Sequence, residues 1–491
     1  MATRRSALAW FATALALYAL TAARGPMWGD SSKLTLYALH GYVPSLNPGD
    51  HPGWTLCAGI WLALTRGLPA AQSLALFSAF AAALSVALVF VLVLRRGATT
   101  THAHSAACVL LVLHPHWWAA TTAETYSLAS ALILAAAVAT TSGRTRLGAL
   151  AAGVASGLAL ATHFFAVFLF APFLPGLKRR AWLPAALGFV LGSAPVWLAV
   201  AGAPPDPLTG HFAAGPASWQ WHFASFLAPS RIPFGLLRLI AVLLFGFGVV
   251  ALAGVFAART HPESCHPSPR VAASALVALA LVLTTYSAFR LHLMAGFVGL
   301  GLILLRPPLL SRGARFAHVA VQVSLYLLTP LALQRVGRAD LGVRQLPERN
   351  NAWYFLCPIK SLDQGPTRYA RGLLQAAPRN ATVLADFNPG AVLRLVQESE
   401  HMRPDVEIVP TAVDEALAAP DPARALARLL RNAQARQRPT VLADCWEPYY
   451  RTAALRTLGF ALTDCGPGLC VSEAMERKAR AASSASPPPA P

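Results

Sequence analysis

Long apolar runs separated by short arginine-bearing breaks fill the chain up to about residue 335, and ordinary mixed sequence follows. Read at membrane-helix length, the runs predict about eleven spans, near 6–23, 72–94, 103–118, 127–141, 147–162, 164–177, 182–201, 236–258, 271–289, 293–305 and 316–334. The apolar run 54–66 is too short to cross a bilayer and reads as a helix lying along the interface, so 24–71 becomes one large loop. Beyond residue 336 the pattern changes. Short β-rich runs (Thr382–Ala385, Val406–Val409, Thr440–Ala443, Leu469–Ser472) alternate with helical stretches (350–376, 389–399, 422–436, 447–458), which predicts a small α/β layer. The pattern thus predicts a polytopic α-helical membrane protein with three parts. Residues 1–335 form the transmembrane domain, 336–475 a C-terminal α/β domain, and 476–491 a disordered tail.

Composition sharpens this reading. Hydrophobic residues make up 55% of the chain and charged residues 12%, with a mean hydropathy of +0.49. Soluble domains carry about 25% charged residues, so half of that fits an integral membrane protein. The net charge of +19 does not point to nucleic acid, because the arginines are dispersed between apolar runs rather than gathered on one face. Their placement instead sets topology. One set of breaks holds Arg4, Arg5, Arg95, Arg96, Arg144, Arg146, Lys178, Arg179, Arg180, Arg259, Arg270, Arg306, Arg312 and Arg315, and the opposite set holds Arg24, Lys33, Arg66, Arg231 and Arg290. By the positive-inside rule the N-terminus is cytoplasmic, while the 24–71 loop and the α/β domain lie outside, in a multi-pass protein of an inner (plasma) membrane of bacterial type. Cys445, Cys465 and Cys470 then occupy an oxidising compartment, where Cys465 with Cys470, or Cys445 with one of them, is expected to pair.

The ionisable residues left over are few and sit at span ends. Asp30, Lys33, Asp50 and His51 lie in the first loop, and Glu124 and His163 lie at the turns of spans too closely spaced to be ordinary crossings. Structural roles compete for each: a helix cap for Asp30, a helix N-terminal carboxylate for Glu124, a packed histidine for His163. Arg290 and His292 mark another extracytoplasmic junction, and the loop 202–235 offers Trp219, Trp221 and His222 as interfacial anchors or sugar-stacking planes. No zinc-type spacing occurs, and neither a metal nor a cofactor is expected.

These stretches bear a family likeness. Gly29-Asp30-Ser31-Ser32-Lys33, His51-Pro52-Gly53, Ala123-Glu124-Thr125-Tyr126 and Thr162-His163 resemble, in order, motifs of the GT-C glycosyltransferases. The order is similar to a family once labelled only as a domain of unknown function, which includes the animal protein O-mannosyltransferase acting on plexin-type receptors. The likeness continues through Asn350-Asn351, Tyr369-Ala370-Arg371, Ala385-Asp386-Phe387-Asn388 and Arg403-Pro404-Asp405-Val406. Three positions depart from the family: Lys33 replaces a glutamate, one proline is missing after His51, and Ala385 replaces a glycine. The resemblance implies transfer of mannose or another hexose from a polyprenyl-phosphate donor to a protein or glycan hydroxyl. In that reading Asp30 and Glu124 are catalytic; His51, Lys33, His163, Arg290 and His292 hold the donor phosphate; Trp219, Trp221 and His222 hold acceptor or sugar. A transporter or flippase of lipid-linked substrates, and a non-catalytic scaffold of the same fold, remain alternatives at this stage.

Overall fold

The computed structural model describes residues 2–41, 51–141, 145–170, 179–201, 232–257, 269–283, 288–417 and 419–473. The first part of the chain folds into eight helices that build the site: α1 (Ala2–Thr21), α2 (Asp30–Leu39), α3 (Pro52–Leu64), α4 (Ala70–Arg95), α5 (Thr100–Val112), α6 (His114–Ala120), α7 (Thr125–Thr141) and α8 (Arg146–Thr162). At 13 residues, α3 is too short to span, as its sequence predicts. Leucine, phenylalanine and tryptophan side chains point outward from many helices, among them Leu8, Leu20, Leu183, Trp197, Phe234, Phe316 and Leu328, as a lipid-facing surface requires.

Several expected spans are broken. The run 103–118 splits at Leu113 into α5 and α6, with Pro115 in the first turn of α6. The run 182–201 splits into Trp182–Gly192 and Ala194–Ala201, and 236–258 splits at Gly248, whose φ of +78° no helix interior accepts. Among the described residues two helices, Ala70–Arg95 and Arg312–Arg335, are long and apolar enough to cross a membrane alone. The number rises to four if each bent pair counts as one span: His114–Ala120 with Thr125–Thr141 (111°), and Ile232–Phe247 with Val249–Val255 (94°).

Close helix packing explains where α8 sits. Gly153 and Gly157 of α8 face Gly188 and Gly192 of the helix Trp182–Gly192, two small-xxx-small pairs set against each other. A Cβ at Gly153 would come within 2.0 Å of the Ala185 carbonyl oxygen, and one at Gly192 within 2.1 Å of the Val154 carbonyl oxygen. Only glycine permits this approach, so the position of the α8 C-terminus is fixed by its backbone.

The C-terminal unit is a five-stranded mixed sheet in the order β2-β1-β3-β5-β4, built from β1 (Thr382–Leu384), β2 (Glu407–Val409), β3 (Thr440–Leu442), β4 (Phe460–Cys465) and β5 (Gly468–Glu473). The first three strands are parallel, and β5 runs antiparallel to β3 and β4. The sequence reading found four of the five and missed β4, whose burial is mostly partial and whose pattern is therefore weak. Two of the expected helices are interrupted: 350–376 at Cys357–Gln364, and 447–458 at Arg451, which adopts φ +47°.

This unit does not hang free. Its core continues without a break into Ala22, Ala23, Met27 and Trp28 after α1, Ala75 of α4 and Trp118 of α6. Directional bonds fix the join. Trp118 Nε1 donates to the Tyr354 carbonyl (2.9 Å), Thr121 Oγ1 to the Pro358 carbonyl (2.9 Å), and the Lys360 backbone N–H to the Thr21 carbonyl (2.8 Å). The Lys360 ammonium is buried between the Trp118 and Tyr354 rings and donates to the Tyr354 carbonyl. Burial pushes its pKa down to about 8.

Candidate functional site

The site forms where helix beginnings meet. Gly29 has φ +72° and precedes α2, so Asp30 is the first helical residue rather than the cap, and no side-chain cap bond forms there. The capping role weighed for Asp30 is therefore absent, and its carboxylate is left partly exposed at the positive end of α2. One residue on, Ser31 Oγ accepts the Ala123 N–H (3.1 Å), which ties the start of α2 to the turn before α7. That turn carries Glu124, buried, with its backbone N–H bonded to Ser78 Oγ (3.3 Å). Burial first, and the Asp30 carboxylate second, push the Glu124 carboxyl well above its usual range, against the pull of Lys33. Both influences favour the neutral form of Glu124 over its carboxylate.

The histidines come together through a glycine. His51 precedes α3, Pro52 fills the first turn where its missing N–H costs nothing, and Gly53 lies on the end of α8. A Cβ at Gly53 would stand 2.8 Å from Ala161 Cβ and 2.9 Å from the Ala161 carbonyl carbon. The close approach lets the His51 ring stack on His163 at 5.3 Å and 20°. His163 ends α8 and is walled by Tyr126 (4.8 Å), Phe297 (5.3 Å) and Phe165 (5.9 Å), while its Nδ1 accepts the Phe165 N–H (3.3 Å). Burial and the neighbouring His51 hold its pKa well below the usual histidine value, opposed by Asp30. His163 thus carries the packing contacts of a structural residue and the field of a site residue together. Lys33 is nearly buried one turn into α2, with its ammonium 5.4 Å from the Tyr37 ring and 5.8 Å from the Phe387 ring.

Phe387 comes from the C-terminal unit. Its helix, Phe387–Ser399, runs alongside α2 in the same direction: Asn388 Oδ1 approaches Gly29, Leu395 packs on Leu36 and Tyr37, and Glu398 meets His40 (2.8 Å). The N-termini of α2, α3, α7 and this fourth helix therefore gather around Asp30. Each carries partial positive charge, so the place as a whole favours an anion.

Behind the fourth helix lies a closed charge cluster that sequence reasoning did not single out. Arg344 donates to both carboxylate oxygens of Asp386 (2.9 and 2.8 Å) and to Asp444 Oδ2 (2.6 Å), and Tyr450 OH donates to Asp386 Oδ2 (2.7 Å). Its signal was available. The pentapeptide Thr-Val-Leu-Ala-Asp occurs at 382–386 and again at 440–444, and parallel pairing of Thr382 with Thr440 sets the two aspartates side by side.

Of the residues picked from sequence, Asp30, Lys33, His51, Glu124 and His163 are brought together. Arg290 and His292 belong to the helix Ala288–Leu305, but their side chains lie outside the described residues, as do Asp50, Trp219, Trp221 and His222. Cys465 and Cys470 are free thiols within hydrogen-bonding reach of each other across the β4–β5 hairpin, and Cys445 is exposed. Among the described residues no three His, Cys, Asp or Glu side chains are arranged to hold a metal ion.

No protein-family model and no curated protein sequence matches the chain. Solved structures do. ArnT from Cupriavidus metallidurans, a glycosyltransferase of the GT-C fold, superposes in its apo state with a TM-score of 0.54 at 13% identity, over 97% of this chain and 99% of that one. The same enzyme bound to undecaprenyl phosphate gives a TM-score of 0.54 at 14% identity, over 94% and 97%. At such identity the likeness establishes the fold alone: this chain shares the architecture of ArnT over nearly its whole length.

Proposed function

We propose that the chain is a membrane glycosyltransferase that moves a hexose from a polyprenyl-phosphate donor to a hydroxyl outside the cytoplasm. The observation that carries this is the gathering of four helix N-termini, with Lys33, His51 and His163, around the Asp30 carboxylate. The fold's likeness to ArnT, one structure of which holds undecaprenyl phosphate, supports a lipid-phosphate donor. In the topology that goes with this reading, about eleven crossings, several of them bent or broken, place the site and the α/β unit on the extracytoplasmic side.

The step is a single displacement. The acceptor oxygen forms a bond to the anomeric carbon as the bond from that carbon to the phosphate oxygen breaks, and the configuration inverts. The acceptor proton passes to Asp30, and polyprenyl phosphate leaves with the bonding electron pair. Lys33, His51 and the helix N-termini stabilise the charge that grows on the phosphate, joined by Arg290 and His292 from their helix. Glu124, whose neutral form burial and Asp30 favour, is placed to donate a hydrogen bond into the same site. The finer reading, from the sequence resemblance, is that the sugar is mannose and the acceptor a protein serine or threonine.

The test is direct. Purified protein in lipid vesicles is given polyprenyl-phosphate mannose, glucose and galactose with Ser/Thr peptides and glycan acceptors. Appearance of a glycosylated product of inverted configuration supports the reading. Movement of the intact lipid across the vesicle without any transfer would replace it by the flippase.

A further inference from the structure

The first turn of Phe387–Ser399 brings two partly exposed side chains of the α/β unit up to Asp30's neighbours. Asn388 Oδ1 lies 3.3 Å from where a Gly29 Cβ would stand, one residue from Asp30. Its side-chain amide is partly exposed and makes no hydrogen bond among the described residues, although both its donor and its acceptor are intact. Phe387 presents its ring to the Lys33 ammonium.

The turn is also held in place far more firmly than a loop needs to be. Asp386 caps it by accepting the Asn388 N–H (3.2 Å), and Asp386 is clamped in turn by Arg344 and by Tyr450. The Phe387 N–H is taken by Asp414 Oδ2 (2.6 Å). The backbone of residues 386–388 is thus fixed by three buried or half-buried groups on different elements. In open parallel sheets, ligands bind beyond the carboxyl ends of the strands where neighbouring crossovers diverge. Here that position, between β1 and β3, is filled by Arg344, so the sheet offers a ligand only the turn mounted on it.

We propose that Asn388 and Phe387 form the acceptor subsite of the transfer reaction, with the Asn388 amide orienting the attacking hydroxyl, or its neighbour on the acceptor, toward Asp30. This rests on the glycosyltransferase reading above. The acceptor is assigned rather than the donor for a physical reason. The donor's polyprenyl chain has to stay among lipid-facing helices, whereas this turn belongs to the α/β unit and approaches Asp30 from the side of that unit. An amide with one donor edge and one acceptor edge matches a hydroxyl, which both gives and takes a hydrogen bond, and an aromatic face suits the apolar side of a sugar or peptide. Arg344, Asp386 and Asp444 act through the turn as positioning residues.

The experiment uses the full-length protein in vesicles and compares wild type with Asn388→Ala, Asn388→Ser and Phe387→Leu. For each variant the KM for acceptor and for polyprenyl-phosphate sugar is measured, together with the thermal shift produced by polyprenyl phosphate alone. Loss of one uncharged hydrogen bond is expected to raise acceptor KM roughly 3- to 10-fold. Donor KM and the polyprenyl-phosphate shift should stay as in wild type, with Asn388→Ser recovering part of the loss. Wild-type acceptor KM in all three variants would overturn the assignment and leave the glycosyltransferase reading standing. A rise in donor KM with acceptor KM unchanged would also overturn it, by moving the turn to the donor side. Absence of transfer by wild type itself would sink the parent reading, and this inference with it.

Discussion

Asp386 and Asp444 share the guanidinium of Arg344, take a further bond from Tyr450, and are almost wholly withdrawn from solvent. Asp30 and Glu124 are also neighbours, but among the described residues no arginine clamps them together, and Asp30 is partly open at the end of its helix. Both pairs sit at the N-terminal ends of helices or the carboxyl ends of strands, and both come from short motifs. They differ in closure. Where both carboxylates are buried on one shared guanidinium the cluster presents no open group to a substrate, and its role is to hold shape. Where one carboxyl group is open and burial pushes the other toward its neutral form, hydrogen-bonding and proton-accepting capacity remains for chemistry.

Removing a member of the closed cluster should therefore damage stability first. Arg344→Ala leaves two buried carboxylates unpaired and is expected to cost about 3–5 kcal/mol, read as a lowered melting temperature of the full-length protein in detergent. An unchanged melting temperature would mean that the cluster does not hold the α/β unit together, and the contrast drawn above would fail at its closed end.

A smaller change tests how the open site is assembled. Gly53→Ala places a methyl against Ala161 and must push α3 away from α8. The expected cost is about 1–3 kcal/mol from overpacking, with a matching rise in KM for the lipid-phosphate donor as His51 leaves His163. If Gly53→Ala bound and turned over donor like wild type, the stacked histidines would be packing residues only.

The subtlest test is pH. Burial and Asp386 push the Asp414 carboxyl up from 3.8 to about 7. The unfolded chain then loses this proton at lower pH than the folded one. The group's contribution to stability is accordingly whole below about pH 4 and is lost as pH rises toward 7. Asp414→Asn is expected to flatten the decline of melting temperature across that window, and an unaltered slope would remove Asp414 as its source. A final, independent check concerns Cys465 and Cys470, which the sequence reading expects to pair but which are free thiols in the structure. Mass mapping of unreduced, membrane-extracted protein is expected to find both thiols free, and a Cys465–Cys470 disulfide would restore the pairing expected of an oxidising compartment.

Much of this was legible from the chain alone. The arginine-punctuated apolar runs gave the helical class, and Asp30, Lys33, His51, Glu124 and His163 were picked out because ionisable groups at span ends are costly unless used. Helix breaks were not legible, because Gly248 and Pro115 lie inside runs that remain apolar on both sides, and hydropathy does not register a positive φ. The pairing of Gly153 and Gly157 with Gly188 and Gly192 was written in the sequence but needs a partner helix to acquire meaning. The same holds for the repeated Thr-Val-Leu-Ala-Asp, whose effect depends on strand register. The contribution of Phe387 and Asn388 depends on docking between distant parts of the chain, which no local pattern encodes.

The central claim is that Asp30 takes the acceptor proton in a single displacement. Single-turnover transfer by Asp30→Asn, with donor and acceptor both saturating, measures it most directly. The account predicts a rate lowered roughly 10²- to 10⁴-fold, with the polyprenyl-phosphate thermal shift intact. Transfer at close to the wild-type rate would contradict it and give the proton to another group at this site.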